Sequence, residues 1–273
     1  MMELEIKGKI LRSGNRPLTC VPLMGRTREE IMEHLDRIVQ EAKDTNIDIV
    51  EFRGDIYHQL LELDRLQKLL VEIRQKLQDK ILLFTIRSPR EGGEQRAYTA
   101  CSIDEVNTFV IDNKLADMVD VELLSVDENA LEISQSQSKS MEQPAIIKLA
   151  KERQVKIIMS NHDFEKTPSK DEMISRLVRM QQLGADVVKL AVMPNSVEDL
   201  KTLLAATMEM NVNHSDTPVV TMSMGKLGEF SRISGEIFGS AFTFGAVGQV
   251  SAPGQIQVKE LNNLLDLLHK NCV

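Results

Sequence analysis

At 273 residues, with 42% hydrophobic and 27% charged side chains, the chain is long enough to bury its own core as one large domain; single α/β barrels commonly run to about 250 residues. A formal net charge of −8 disfavours a nucleic-acid partner, and three cysteines without a CxxC spacing argue against a disulfide framework or a metal cluster and for a reducing compartment. No apolar run approaches the ~18 residues of a membrane span, and Met1-Met2-Glu3-Leu4-Glu5-Ile6 lacks the layout of a signal peptide, so the expected setting is the cytoplasm, with no membrane partner.

Residues 3–14 hold two short alternating pieces around Gly8, which predicts an N-terminal β-hairpin preceding the main fold. The first strand of the main fold is expected at 19–24. Thr27 then caps a helix running to about residue 44, with Glu29 and Glu30 in the first turn, where the helix dipole favours anions. Apolar strands follow near 47–53, 81–87, 118–123, 155–160, 186–192, 218–223 and 241–245. Amphipathic helices are expected near 58–78, 102–114, 141–153, 169–183, 196–211 and 229–239, with a last one near 255–270. The serine-rich stretch 132–140 reads as a surface loop. Eight strands, most followed by a helix, predict a parallel sheet closed into a (β/α)8 TIM barrel, one catalytic domain spanning 1–273. The alternative is an open doubly wound sheet, which would carry a glycine-rich phosphate turn after its first strand; Met24-Gly25-Arg26 is not one.

Barrel strands are covered on both faces, so polar groups within them need a reason. Side chains alternate along a strand, which puts Ile49, Glu51 and Arg53 on one face and Val50 and Phe52 on the other. Leu83, Thr85 and Arg87 share a face, as do Asp120 with Glu122, and Val187 with Lys189 and Ala191. The opposite faces are apolar apart from Asp48 and Asp186 at strand starts, so the polar faces are expected to converge on the barrel interior and its carboxyl-end mouth. For Asp120 and Glu122 the favoured reading is a structural ion pair.

Lys189 is the most informative residue of the set. Burial disfavours its ammonium form, and a neutral lysine is a nucleophile for carbonyl carbon. The structural alternative is a lysine paired with a buried carboxylate. His162, in Ser160-Asn161-His162-Asp163-Phe164, is the one histidine of five at a strand's carboxyl end and suits general acid and base work; His34, His58, His214 and His269 are expected to be solvated. Arg232 can grip a carboxylate bidentately, and Ser251-Ala252-Pro253-Gly254-Gln255 can close over the site. Met222 and Met224 read as barrel wall.

Together these stretches resemble the type I 3-dehydroquinate dehydratases. The matching pieces are Glu51-Phe52-Arg53, Thr85-Ile86-Arg87 with Glu91-Gly92-Gly93-Glu94, Ser160 to Phe164, Gly184-Ala185-Asp186 with Lys189, Ser231-Arg232 and Ser251 to Gln255, in family order across most of the chain. The resemblance implies a (β/α)8 barrel, a homodimer, a small-molecule substrate, and neither metal nor added cofactor. It implies that Lys189 forms an imine with the C3 ketone of 3-dehydroquinate and that His162 moves the protons, oriented by Glu91. Arg232 would hold the substrate carboxylate, while Glu51, Arg53, Arg87, Ser251 and Gln255 would hold the ring hydroxyls or the carboxylate end. In that arrangement Arg87 is expected to depress the lysine pKa, and Glu91 to raise that of His162. Phe52 replaces a tryptophan common in the family and faces outward, and Pro22 stands where some members carry a substrate-touching serine. A Schiff-base aldolase on the same fold, and a noncatalytic scaffold that has kept the pocket, are the competing readings.

Overall fold

The computed structural model describes residues 3–95, 100–128 and 143–272, so the serine-rich stretch 132–140 lies outside the described residues. Strands β1 (Glu3–Ile6) and β2 (Lys9–Arg12) pair antiparallel as the expected hairpin. Eight parallel strands follow: β3 (Leu18–Leu23), β4 (Ile49–Arg53), β5 (Ile81–Thr85), β6 (Met118–Glu122), β7 (Lys156–Asp163), β8 (Val187–Val192), β9 (Val219–Ser223) and β10 (Phe242–Ala246). Each from β4 to β9 pairs with its predecessor, and β10 pairs with β3. The Ala241 N–H donates to the Val219 carbonyl at 2.8 Å, so the two ends of the sheet meet and the barrel closes. A two-residue strand, β11 (Ile256–Gln257), extends β10 beyond the expected eight.

The helices are α1 (Arg28–Glu41), α2 (Leu63–Leu77), α3 (Ala100–Asp112), α4 (Leu123–Val126), α5 (Ala145–Arg153), α6 (Lys170–Leu183), α7 (Val197–Glu209), α8 (Gly225–Ile233), α9 (Gly235–Phe238) and α10 (Val258–Cys272). Three depart most from the expected ranges, and α4 was not expected. α2 starts five residues late, because the chain leaving β4 first turns through a short 3-10 segment at Gly54–Ile56. α5 starts only after Pro144. The helix expected at 229–239 starts at Gly225 and breaks at Ser234 into α8 and α9. Gly228 allows close packing of α8 on β9: a Cβ there would stand 2.3 Å from the Ser223 carbonyl oxygen. Among the described residues no helix is long and apolar enough to cross a membrane.

The periodicity of the strands produces two apolar layers. Val21, Val50, Phe52, Phe84, Val119, Ile157 and Leu190 pack outward against helix residues such as Ile31, Leu66, Val110 and Leu177. Cys20, Ile49, Ile81, Leu83, Met118, Ile158, Val187, Val220 and Phe242 fill the interior at its amino-terminal end. The hairpin seals that end with Leu11, which is fully buried among them.

A repeated device pins the same end. Asp48, Asp117 and Asp186 stand just before β4, β6 and β8, and each accepts the backbone N–H of the strand before it: Thr19 at 2.9 Å, Leu82 at 2.8 Å and Ile157 at 2.8 Å. Before β10 the Ser240 hydroxyl does the same for Thr221 at 3.2 Å. Asp48 and Asp186, the two exceptions to the apolar outer face, are therefore satisfied as strand staples; a buried carboxylate needs such donors.

Candidate active site

Along the inward faces, composition changes with height. β4 reads Ile49, Glu51, Arg53; β6 reads Met118, Asp120, Glu122; β7 reads Ile158, Ser160, His162; β8 reads Val187, Lys189, Ala191. The polar upper half opens into a pocket at the carboxyl ends of the strands. It encloses about 480 Å³ including its mouth, a size suited to a small molecule. All nine residues selected from the sequence line it: Lys189, His162, Glu91, Glu51, Arg53, Arg87, Arg232, Ser251 and Gln255. Met222 and Met224 form part of the wall, as expected; Phe244, Phe164 and Ala191 complete it.

The Lys189 amine is buried, 3.5 Å from Asp120 Oδ2 and 3.7 Å from Glu51 Oε1. It lies over the Phe244 ring, 4.6 Å from the centroid. The lysine thus has the buried carboxylate partners of the structural alternative. Arg87 does not act on the lysine alone. Its Nη1 donates to Glu122 Oε1 at 3.0 Å and to Ser160 Oγ at 2.9 Å, and its Nη2 to Asp120 Oδ2 at 2.7 Å. Burial alone would raise the Asp120 carboxyl, but Arg87 and Lys189, with the hydrogen bonds from Arg87 and Ser160, hold it below its ordinary value. Asp120 and Glu122 are thus the structural ion pairs expected, with Arg87 as their shared partner.

His162 Nδ1 is 2.8 Å from Glu91 Oε2, and the His162 backbone N–H donates to the same oxygen at 2.9 Å. Glu91 reaches it because the turn Pro89–Glu91 ends at Gly92 with φ +86°, and a Cβ at Gly92 would fall 2.4 Å from the Phe164 ring. Burial lowers the His162 pKa well below its ordinary 6.5, and the nearby charges of Arg87, Lys189 and Arg53 lower it further. The sequence-based expectation had the sign reversed, because it counted Glu91 and neither the burial nor the three cations. Burial, then Glu122, push Glu91 up to about 8 against the pull of Arg87 and the bond from Asn161. Two neighbours of this pair went unassigned in the sequence. Asn161 Nδ2 donates to Glu91 Oε1 at 3.1 Å, and the buried Arg176 of α6 donates from Nη1 to Asn161 Oδ1 at 3.0 Å.

Arg53 is clamped bidentately by Asp55, Nε to Oδ1 at 2.9 Å and Nη2 to Oδ2 at 2.8 Å. Arg232 contrasts with it. It is 1% exposed, yet among the described residues it has no carboxylate at ion-pair distance. Its Nη2 donates to the Pro253 carbonyl at 3.1 Å, Nη1 reaches the Phe244 carbonyl at 3.5 Å, and Nε has no partner among the described residues. Burial pulls its pKa down to about 10. Ser251 and Gln255 hold each other across the mouth, with Ser251 N–H to Gln255 Oε1 at 2.7 Å and Gln255 Nε2 to Ser251 Oγ at 2.9 Å.

Other residues fall elsewhere. Ser231 does not line the pocket; its hydroxyl ties α8 to β9 by accepting the Ser223 N–H at 2.9 Å. Phe52 packs outward, as expected. His34, expected in solvent, is buried, with Nδ1 3.2 Å from the Met24 N and Nε2 3.0 Å from the Val247 carbonyl. Phe244 was missed, although it shares the inward alternation of Phe242 and its presence was readable there. Arg176 left no such signal, being one arginine on an amphipathic helix.

The sequence pattern described as type I 3-dehydroquinase matches residues 19–272. The chain is 45% identical to a 3-dehydroquinate dehydratase of Clostridium novyi (strain NT), covering 98% of this chain and 99% of that one. It is 44% identical to one of Bacillus subtilis (strain 168), with 99% of each covered. Among solved structures, the type I 3-dehydroquinate dehydratase of Clostridium difficile with covalently modified comenic acid superposes with a TM-score of 0.86 at 41% identity, covering 99% of both chains. The 3-dehydroquinate dehydratase of Geobacillus kaustophilus HTA426 gives a TM-score of 0.88 at 28% identity, over 98% of this chain and 97% of that one. With the family pattern matched over residues 19–272 and a relative 45% identical over nearly the whole of both chains, the chain belongs to the type I 3-dehydroquinase family.

Proposed function

We propose that the chain dehydrates 3-dehydroquinate to 3-dehydroshikimate through an imine on Lys189, within aromatic amino acid biosynthesis. The observation that carries this is a buried arginine, Arg232, with no carboxylate at ion-pair distance among the described residues, in one pocket with a buried lysine and a histidine–glutamate pair. A desolvated guanidinium with an unused donor is suited to a substrate carboxylate.

The Lys189 amine attacks the C3 ketone, and loss of water from the carbinolamine leaves a protonated imine. That cation draws electrons from the adjacent bond and acidifies C2–H. Glu91 occupies Nδ1 of His162, which leaves Nε2 to face substrate. Nε2 takes the C2 proton to give an enamine; the enamine electrons expel the C1 hydroxyl, which departs as water with the proton from Nε2. Hydrolysis of the conjugated imine releases product and frees the amine. A histidine held neutral by burial and three cations is ready as the base from the start. Glu51, Arg53, Arg87, Ser251 and Gln255 line the remaining walls, where they are suited to the ring hydroxyls and the carboxylate end. Every step uses the chain's own side chains. We assign the protein to the cytoplasm as a homodimer, the latter checked by light scattering in solution.

Appearance of conjugated-enone absorbance on adding 3-dehydroquinate, together with a borohydride-reduced adduct on Lys189, tests the proposal. An adduct only with an aldol substrate favours the aldolase reading; neither product nor adduct favours the scaffold.

A further inference from the structure

Asn161 stands on β7 between Ser160 and His162, yet it points the other way. Ile158 and His162 face the barrel interior, so Asn161 shares the outward parity of Ile157 and Met159, which pack against the helix layer. It is buried there, and its amide joins two buried charged groups. Nδ2 donates to Glu91 Oε1 at 3.1 Å, and Oδ1 accepts from Arg176 Nη1 at 3.0 Å. Arg176 comes from the face of α6 that otherwise buries Met173, Leu177 and Met180. Among the described residues it has no carboxylate at ion-pair distance.

We propose that Arg176 is a positioning residue for the His162–Glu91 pair: it fixes which end of the Asn161 amide faces Glu91, and so keeps the carboxylate on the histidine ring. This rests on the proton-transfer role of His162 proposed above. A guanidinium has five donors and no acceptor, so the amide can meet it only with its oxygen. The amide nitrogen is then committed to Glu91. With Nε2 of His162 kept as the base, Nδ1 carries the ring proton and donates to Glu91 Oε2, as the His162 backbone N–H does. Each Glu91 oxygen therefore faces a donor, which suits an ionised carboxylate better than a carboxylic acid. Without Arg176 the amide is free to turn. Its oxygen would then repel the ionised Glu91 and accept a hydrogen bond from the protonated one.

The surrounding charges leave room for such a device. Arg87 Nη1 stands 3.9 Å from Glu91 Oε2, while Glu122 and Asp120 of β6 oppose ionisation. Burial and Glu122 push the Glu91 carboxyl up to about 8, and the Asn161 bond is one of the forces pulling it down. Around Arg176, burial lowers the pKa, and Asp163 of β7, Glu172 of α6 and Glu91 raise it. Arg87, Lys189 and Arg53 add to burial in holding His162 low, so the ring titrates below the range of Glu91. Neither Asn161 nor Arg176 lines the pocket, so substrate binding should not sense them.

The test follows Glu91 through the ring of His162. In the resting protein, nitrogen NMR of labelled histidine should show a His162 transition near pH 8 in wild type, the signal being assigned by its absence in His162→Ala. In Arg176→Met the transition should move up by about one pH unit, the scale of one charge-assisted hydrogen bond. In enone-forming assays with 3-dehydroquinate the rising limb of kcat should move by the same amount. The kcat near pH 7 should then fall about tenfold and recover at high pH, with KM near wild type. Arg176→Lys, still a cation without an acceptor, should reverse part of the shift. In an Asn161→Ala background, Arg176→Met should cost nothing further. Should Arg176→Met not fold, Arg176→Gln can present either amide end and should move the limb the same way by less. An unmoved transition and limb in these variants, or equal losses from Arg176→Met with and without Asn161, overturn the assignment. No enone from wild type overturns the catalytic reading, and the histidine transition still decides the role of Arg176.

Discussion

The two ends of the barrel interior are built by the same strands on the same face, yet they obey different rules. At the amino-terminal end Ile49, Leu83, Met118, Ile158 and Val187 interlock, and Leu11 closes them off from water. One step up each strand the sequence turns to Glu51, Thr85, Asp120, Ser160 and Lys189. The lower half gains from apolar burial and needs no polar partner. The upper half buries charge, which is stable only when paired, and pairing rarely adds net stability over apolar packing. The floor therefore holds the barrel together, while the charged layer above it borders the pocket and adds little to stability.

The sharpest way to break this comparison is to remove one residue from each half. Lys189→Ala should cut turnover by roughly 10,000-fold or more, as loss of a nucleophile does elsewhere. The structure adds a second consequence that the sequence concealed. Glu51 loses its cation, so unfolding free energy should drop by about 3 kcal/mol. Pairing Lys189→Ala with Glu51→Gln should return part of it, measured by urea denaturation. Leu83→Ala in the floor should lose a similar ~3 kcal/mol through its cavity and keep kcat near wild type where it is folded. Comparable kcat losses in both variants would dissolve the distinction.

Within the upper half, Arg232→Met should raise KM by about two orders of magnitude, the scale of a broken desolvated charge pair, with a smaller change in kcat. Arg176→Met acts at one remove, through Asn161 and Glu91 on His162. It should lower kcat about tenfold with KM near wild type, since small displacements of a catalytic group are costly. Arg176→Lys should recover part of that loss in steady-state assays.

The smallest effect is one of pH on stability. Glu91 moves from its ordinary 4.5 to about 8 on folding, so between those values the folded chain holds a proton that the unfolded chain has released. Stability from this group is complete below pH 4.5 and declines as pH climbs toward 8. His162 is lowered by folding, so below 6.5 it contributes in the opposite direction, which leaves the window from 6.5 to 8 to Glu91. Urea denaturation across that window should show a loss of roughly 1 kcal/mol per pH unit in wild type that is absent in Glu91→Gln.

Much of this was legible along the chain because strand alternation and helical spacing are local properties. Eight apolar strands with helices between them implied a closed barrel, and the inward set Glu51, Arg53, Arg87 and Lys189 followed from parity alone. The shared pocket could be anticipated from those faces together with strand ends. Caps were also local: Ser169 and Glu172 make a capping box at α6, as Ser196 and Asp199 do at α7. What parity leaves open is which side chains meet across strands and from the helix layer. The cation count around His162, the Arg87 fork to Asp120 and Glu122, the ring of Phe244 under Lys189, and Arg176 reaching inward from α6 all depend on strand tilt and rotamers. His34, on a helix that looked solvent-facing at that position, is buried because the chain after β10 crosses over it. The barrel and the residues that face its mouth follow from short-range periodicity, which the chain displays locally. The electrostatic surroundings of His162 and Glu91 come from the folded arrangement, because they depend on every neighbour within a few ångströms, however distant along the chain.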